Sequence, residues 1–296
     1  MKTVLFYSFK GGVGRTQPMY NIAKYLSKEQ DKKILLVDFD LYAPGLSYIS
    51  DFKRNGNKYY LLDFLVKTFE GDTNLKLYFE KIEKNLYLLP AFNMKNIKIY
   101  HNLLSEFSKY LYSLKKAAEK RKENISTVAD DVFEYIIEMI KIQYDSFDYI
   151  FFDARTGITE VSDILFSNFL DIKVFVSSFN EQNIKGTNDI LKLLAEQIGN
   201  KHSILRILSP KPKDKSRADF KDIKARANLD YDSNLKKKFN WLGIYEINYE
   251  EEIVTNDFGA WEKIDISSEY KKQIITIANQ IIDYEDNSIL NDIVEI

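Results

Sequence analysis

The feature that most constrains this chain is the stretch Phe6-Tyr-Ser-Phe-Lys-Gly-Gly-Val-Gly-Arg-Thr16. Thr3 to Phe6 is β-branched and apolar and predicts a buried strand. Gly11, Gly12 and Gly14 follow at once, and glycine lets backbone turn and approach a ligand because no Cβ intervenes. From Asn21 to Lys28, Ile22, Ala23, Tyr25 and Leu26 form one face of a helix, with Pro18 in its first turn, where a missing N–H costs little. Strand, glycine loop and helix in succession point backbone N–H groups and a positive helix end at phosphate. Lys10 and Arg15 add cations, and Thr16 adds a hydroxyl suited to Mg²⁺. A glycine-rich turn with a nearby cation is the plainer alternative; the position between strand and helix favours a phosphate loop.

The strict pattern G-x-x-x-x-G-K-[ST] fails at two positions, since Phe9 stands for its first Gly and Arg15 for its Lys. What remains, Lys-Gly-Gly-Val-Gly-Arg-Thr from Lys10 to Thr16, resembles the deviant Walker A loop of the ParA/MinD superfamily, in its KGGVGRT-type subset. The extra lysine before the glycines, here Lys10, carries the resemblance.

Composition narrows the choice. The absence of cysteine excludes disulfides, Fe–S clusters, Cys-ligated zinc and thiol nucleophiles. It also separates the chain from the nitrogenase iron protein and the arsenite-pump ATPase, which share the loop but depend on cysteines. His101 and His202 are the only histidines and lie far apart, against a histidine-based metal site or triad. A net charge of −2 gives no overall argument for nucleic acid or membrane. The N-terminus enters the first strand directly and no run reaches the roughly 18 apolar residues of a membrane span, so a cytoplasmic location is expected.

The rest of the chain alternates strands with helices. Lys33–Asp38, Asn85–Pro90, Phe147–Asp153, Ile172–Ser178 and Ser203–Leu208 predict strands, the last closed by Ser209-Pro-Lys-Pro212, and Trp241–Ile247 is a further candidate. Tyr60–Leu65, Asn188–Ile198 and Tyr270–Tyr284 predict helices. Leu103, Leu104, Phe107, Leu111 and Leu114 form one apolar helical face, and Val128, Val132, Ile136, Ile137, Ile140 and Ile142 another, with the basic run Lys115–Lys122 between them. The expectation is one α/β domain over 1–296, a doubly wound and mostly parallel sheet, with a helical elaboration at about 92–146.

Asp38, Asp40 and Asp153 fall at the C-terminal ends of predicted strands, the edge where open α/β sheets bind ligands. Asp commonly ends strands as a turn residue. Three at the edge that carries a phosphate loop favour metal or charge pairing, because an unpaired buried carboxylate is costly.

The resemblance implies roles for these residues. Val37-Asp-Phe-Asp40 looks like a switch I segment, with Asp38 on the Mg²⁺ shell and Asp40 orienting the attacking water. Asp153-Ala-Arg-Thr-Gly157 looks like switch II, with Asp153 holding Mg²⁺ through water and the Gly157 N–H sensing the γ-phosphate. Loop amides from Gly12 through Val13 and Gly14 to Thr16 cradle the β-phosphate, with Lys10, Gly11 and Gln17 also in the nucleotide site, Arg15 bridges β and γ, Thr16 ligates Mg²⁺, and Ser209-Pro210 lies where relatives contact adenine, though without their Asn. Asn248-Tyr-Glu-Glu-Glu252 resembles the family's late Pro-Tyr-Asp-like segment, with Asn for Pro. Lys10 reaches across a dimer to the partner's ATP, so the resemblance implies an ATP- and Mg²⁺-dependent homodimer with slow ATP hydrolysis, a switch acting on a separate protein effector. Many members of the subset resemble accessory ATPases of bacterial conflict gene sets.

Two alternatives stand beside this reading. A ParA-like DNA-binding ATPase would use a basic patch, and Lys211–Lys238 holds ten Lys/Arg against five Asp. A bacterial tyrosine-kinase-like protein would fit the loop, but the 20 tyrosines are scattered with no terminal cluster. Membrane cycling of the MinD kind fits poorly with the acidic terminus Asp283–Ile296.

Overall fold

The computed structural model describes residues 1–51, 58–72, 74–93, 95–121, 125–144, 146–154, 156–157, 167–196, 202–211, 219–228 and 233–294. β1 (Lys2–Tyr7) leads through the glycine loop into α1 (Thr16–Lys28) and β2 (Ile34–Phe39). A 3₁₀ turn at Leu46–Ile49 is followed by β3 (Lys58–Tyr59), α2 (Leu61–Phe69), β4 (Lys76–Leu77), β5 (Glu80–Glu83) and β6 (Leu86–Leu89). Two long helices, α3 (Ile97–Arg121) and α4 (Ile125–Gln143), precede β7 (Tyr149–Ala154). Then come β8 (Ile172–Ser177), α5 (Glu181–Ala195), β9 (Ser203–Lys211), α6 (Asp219–Ala227), α7 (Ser233–Lys236) and β10 (Asn240–Asn248). α8 (Glu251–Asn256), α9 (Ala260–Lys263) and α10 (Glu269–Val294) follow.

Eight strands form one sheet in the order β10-β9-β8-β1-β7-β2-β6-β5, parallel throughout except for the antiparallel pairing of β5 with β6. The central strands are apolar on both faces because both faces are covered. Strand side chains alternate. Leu5, Tyr7, Leu35, Val37, Ile150 and Phe152 therefore pack with α2 to α5, while Val4, Phe6, Ile34, Leu36, Tyr149 and Phe151 pack with α1, α9 and α10.

Several boundaries differ from the sequence reading, among them α10, which runs on to Val294, and α2, which runs on to Phe69. α1 begins at Thr16, with Pro18 in its first turn as expected, so the phosphate loop feeds the helix without a spacer. α5 begins at Glu181, not Asn188, because Asn180 caps it, its side-chain oxygen accepting from the Asn183 N–H at 2.9 Å; Ile198 lies outside the described residues. β9 runs on through Ser209 and Pro210 to Lys211 instead of ending at Leu208. Its pairing with β8 stops at Ser177–Leu208, so Pro210 stands where β8 demands no N–H. The basic run from Lys115 continues α3 to Arg121, and Lys122 lies outside the described residues.

Candidate nucleotide site

Parallel pairing brings the strand ends together. Asp38 is the register partner of Asp153 across β2 and β7, and Phe6 of β1 is the partner of Asp153 on its other side. The loop leaving β1 therefore passes directly over both carboxylates. Gly12 and Gly14 take φ of +74° and +72°, and a Cβ at either would meet nothing within 4 Å. The cost of substitution there is backbone strain, and the loop face is open to a ligand. Gly11, Gly12 and Gly14 are exposed, while Val13 is buried as the loop's apolar anchor.

Beneath the loop, Arg15 is 7% exposed and spans two carboxylates. Its Nε donates to Asp153 Oδ1 at 2.5 Å and an Nη to Asp40 Oδ2 at 3.2 Å. Burial opposes its charge, but Asp153 and Asp40 outweigh burial and hold the guanidinium above its ordinary pKa. The Thr16 hydroxyl donates to Asp153 Oδ2 at 2.8 Å. Burial raises the Asp153 carboxyl, against the lowering effect of Arg15 and Thr16.

Asp38 is fully buried and its carboxyl is pushed up to about 8, first by burial and then by neighbouring Asp153. The Ser47 N–H and hydroxyl both donate to its Oδ2, at 2.7 and 2.8 Å. Its Oδ1 has no protein partner, nor does one Arg15 Nη or the Gln17 Oε1. Buried polar groups are normally satisfied, so three such orphans around one loop mark a place for a polar ligand. Among the described residues no three acidic or histidine side chains form a protein-only metal cage. The donor set, one threonine hydroxyl and two carboxylates beside an open phosphate loop, is of the kind that holds Mg²⁺ shared with phosphate oxygens and water. These residues fit that ion.

Two candidate residues are engaged elsewhere in the chain. The exposed Lys10 ammonium donates to the Gln182 side-chain carbonyl at the start of α5. The Gly157 N–H points at the Ser8 carbonyl at 3.4 Å, and the Tyr7 hydroxyl donates to the Gly157 carbonyl at 3.2 Å. Phe9, in place of the strict pattern's first glycine, packs against Gly186 of α5 so closely that a Cβ there would stand 2.2 Å from the ring. Loop and helix are thus keyed together at a position where only glycine fits.

Beside the loop lies a cavity of about 170 Å³ lined by Gly14, Gln17, Ser209, Pro210, Asn248 and Glu250, among others. It gathers Ser209 and Pro210 with Gln17, and also recruits Tyr249, Ile253 and Tyr270 from distant parts of the sequence. Sequence reasoning missed Ile253 and Tyr270, along with Ser47, Gln182 and Gly186. The Asn248–Glu252 segment was the signal available for part of the cavity. Arg155, between Asp153 and Gly157, lies outside the described residues, as do 212–218 and 229–232 of the basic stretch Lys211–Lys238.

Against this geometry, a model of the AAA_31 family (AAA domain) matches residues 1–204, more than half of the chain and the whole of the loop and its aspartates. The chain belongs to the AAA_31 family. Solved structures agree on the family's fold. The MinD cell division protein of Aquifex aeolicus matches with a TM-score of 0.58 at 20% identity, over 96% of this chain and 97% of that one. A McdA variant of Cyanothece in complex with ATP matches at 0.65 and 17%, over 96% of each chain. A plasmid partition protein of Borrelia burgdorferi bound to AMPPNP matches at 0.60 and 18%, over 95% and 98%. In sequence alone, an uncharacterized protein of Borreliella burgdorferi is 39% identical over 91 residues, 31% of this chain and 34% of that relative. The chain thus matches about a third of that relative's length. Among the described residues no helix is long and apolar enough to cross a membrane.

Proposed function

We propose that this AAA_31 member is a Mg²⁺-dependent ATP-binding switch that dimerises on ATP, hydrolyses it slowly and acts on a separate protein partner. The observation that carries the reading is the cluster under the loop: one buried guanidinium spanning Asp153 and Asp40, Thr16 on Asp153, and an unpartnered Asp38 oxygen between them. Such a cluster keeps its one cation tied to carboxylates until a polyanion and its counter-ion arrive. Phosphoryl transfer asks little of the protein beyond positioning and charge neutralisation, and the cluster supplies both.

In this reading the loop amides from Gly11 to Thr16 take the phosphates, and Arg15 exchanges its carboxylates for phosphate oxygens, to which a planar, permanently charged guanidinium binds bidentately. Asp40, released by Arg15, orients the attacking water. Thr16, Asp38 and Asp153 hold Mg²⁺, which when bound neutralises charge on the phosphates. The cavity at Gln17, Ser209 and Pro210 receives the base. Lys10 leaves Gln182 to reach the nucleotide of a second copy, and the Gly157 N–H leaves the Ser8 carbonyl to meet the terminal phosphate. The AMPPNP- and ATP-bound relatives support the choice of nucleotide. With the AAA_31 match ending at residue 204, the chain is read as one domain whose remaining residues complete the base cavity and the far side of the sheet.

The test is an equilibrium titration of labelled ATP with and without Mg²⁺, with GTP in parallel. ATP is expected to bind with a Mg²⁺-dependent gain in affinity, and Thr16→Ala should remove most of that gain while leaving Mg²⁺-free binding within a few fold. Absence of binding at millimolar ATP would sink the reading.

A further inference from the structure

α3 has one face in the core and the opposite face uncovered. Tyr100, Leu104, Phe107, Leu111 and Ala118 are its buried residues, packed with α2 and α4. At 100° per residue, Lys98, Lys109, Lys116 and Lys120 fall within about 20° of a single line on the opposite side, running about 33 Å. All four are exposed, and none has an acidic partner among the described residues. Asn102, Ser105 and Ser113 fill the spaces between them, so the stripe is basic and polar from end to end. Tyr112, itself 60% exposed, sets the position of Lys116, whose ammonium lies 5.0 Å from its ring centroid.

We infer that this stripe docks an acidic segment of a partner protein, such as a helix with carboxylates along one side. Complementarity of shape and charge decides the class of partner. The stripe is one residue wide, and Glu106 and Glu119 flank it on either side, about 60° and 80° round the helix. A row of carboxylates fits such a track. A nucleic-acid duplex carries a charge every ~1.7 Å over a broad surface and would lay phosphates over both flanking glutamates, on a molecule whose own net charge is −2. The exposed Ile99 and Tyr112 at the margins add apolar anchorage of a kind that proteins use at interfaces.

The stripe is also wired to the site. The Tyr100 hydroxyl donates to the Leu41 carbonyl, and the Tyr42 and Ser108 hydroxyls share a hydrogen bond of 2.8 Å. Leu41 and Tyr42 directly follow Asp40, which Arg15 holds. Any movement of Asp40 on nucleotide binding therefore passes to two turns of α3, so that partner affinity follows nucleotide state. This second part rests on the proposed switch; the docking face itself does not.

The experiment titrates the full chain with a fluorescent, Glu-rich helical peptide of about 20 residues, by anisotropy at low and high salt, without nucleotide and with AMPPNP. AMPPNP binding is measured separately by calorimetry. Binding of the peptide should weaken with salt and fall at least tenfold in Lys109→Glu/Lys116→Glu and severalfold in Lys109→Gln/Lys116→Gln. It should be unchanged in Lys237→Glu/Lys238→Glu. No binding, equal binding by the α3 variants, or tighter binding of a labelled DNA duplex through the same lysines overturns the docking assignment. AMPPNP should change peptide affinity severalfold, and Tyr42→Phe/Tyr100→Phe should erase that change. An affinity indifferent to bound AMPPNP overturns the coupling. If calorimetry finds no AMPPNP binding, the switch reading fails, and the nucleotide-free titration still decides the docking face.

Discussion

Arg15 and Arg206 are both buried arginines, and they are partnered in opposite ways. Arg15 sits between carboxylates, which hold its charge above the ordinary value. Arg206, 0% exposed on β9, meets only neutral acceptors: Asn188 Oδ1 at 2.6 Å, the Ala227 carbonyl at 2.8 Å and the Ile184 carbonyl at 3.5 Å. With nothing to repay burial, its pKa falls to about 9. The contrast separates two uses of a buried cation. Arg206 stitches β9 to α5 and α6 through groups that have no other use. Arg15 is paired with groups that the proposed chemistry needs, so its partners must be exchangeable. A cation held for ligand exchange is found among acids, and a cation held for structure can do without them.

The contrast makes graded predictions. Arg206→Ala should cost the most stability, about 3 kcal/mol or more, because it leaves a cavity and strands two carbonyls and an amide oxygen. Chemical denaturation measures that loss, and nucleotide affinity per folded molecule should stay within a few fold. Arg15→Met should do the reverse. ATP affinity should drop about 30-fold, ~2 kcal/mol, as a charge-assisted contact is lost, while stability falls less than in Arg206→Ala, since Asp38 and Asp153 have raised pKa values and can take up protons. If Arg15→Met unfolds the protein and Arg206→Ala abolishes binding in a folded protein, the assignment of the two cations is inverted.

A smaller effect lies at the far end of the sheet. His202 is held neutral, its pKa lowered to about 4 by burial and by Lys173, whose ammonium donates to Nδ1 at 2.9 Å. The folded value lies below the ordinary one near 6.5. The unfolded chain therefore binds the proton first, and stability present above about pH 6.5 is lost as pH falls towards about 4. Thermal denaturation across that window should show the slope, and His202→Gln should flatten it without altering ATP binding at neutral pH.

Much of the site was legible because its parts are contiguous or terminate strands. The Lys10–Thr16 loop is one run, and Asp38 and Asp153 are the penultimate residues of apolar strands while Asp40 directly follows one, so parallel pairing places them along one edge. What hid were contacts made by side chains with no local signature. Ser47 grips Asp38 from a 3₁₀ turn. Gln182 takes Lys10 from the first turn of α5, whose polar opening lacks apolar periodicity and whose only marker was the Asn180 cap. The continuation of β9 through Pro210 was hidden because proline reads as a stop unless the neighbouring strand is known to have ended. The edge strand β5, Glu80–Glu83, is half-exposed and charged, so no apolar run announced it.

The central claim, that ATP joins two copies through Lys10, is tested most directly by mass in solution. Light scattering on an Asp40→Ala protein that holds ATP without turnover should give a dimer with ATP and Mg²⁺, and a monomer with ADP or no nucleotide. Adding Lys10→Ala should return the ATP-bound protein to a monomer while ATP still binds. A mass that ignores nucleotide, or an ATP-bound dimer that survives Lys10→Ala, would contradict the account.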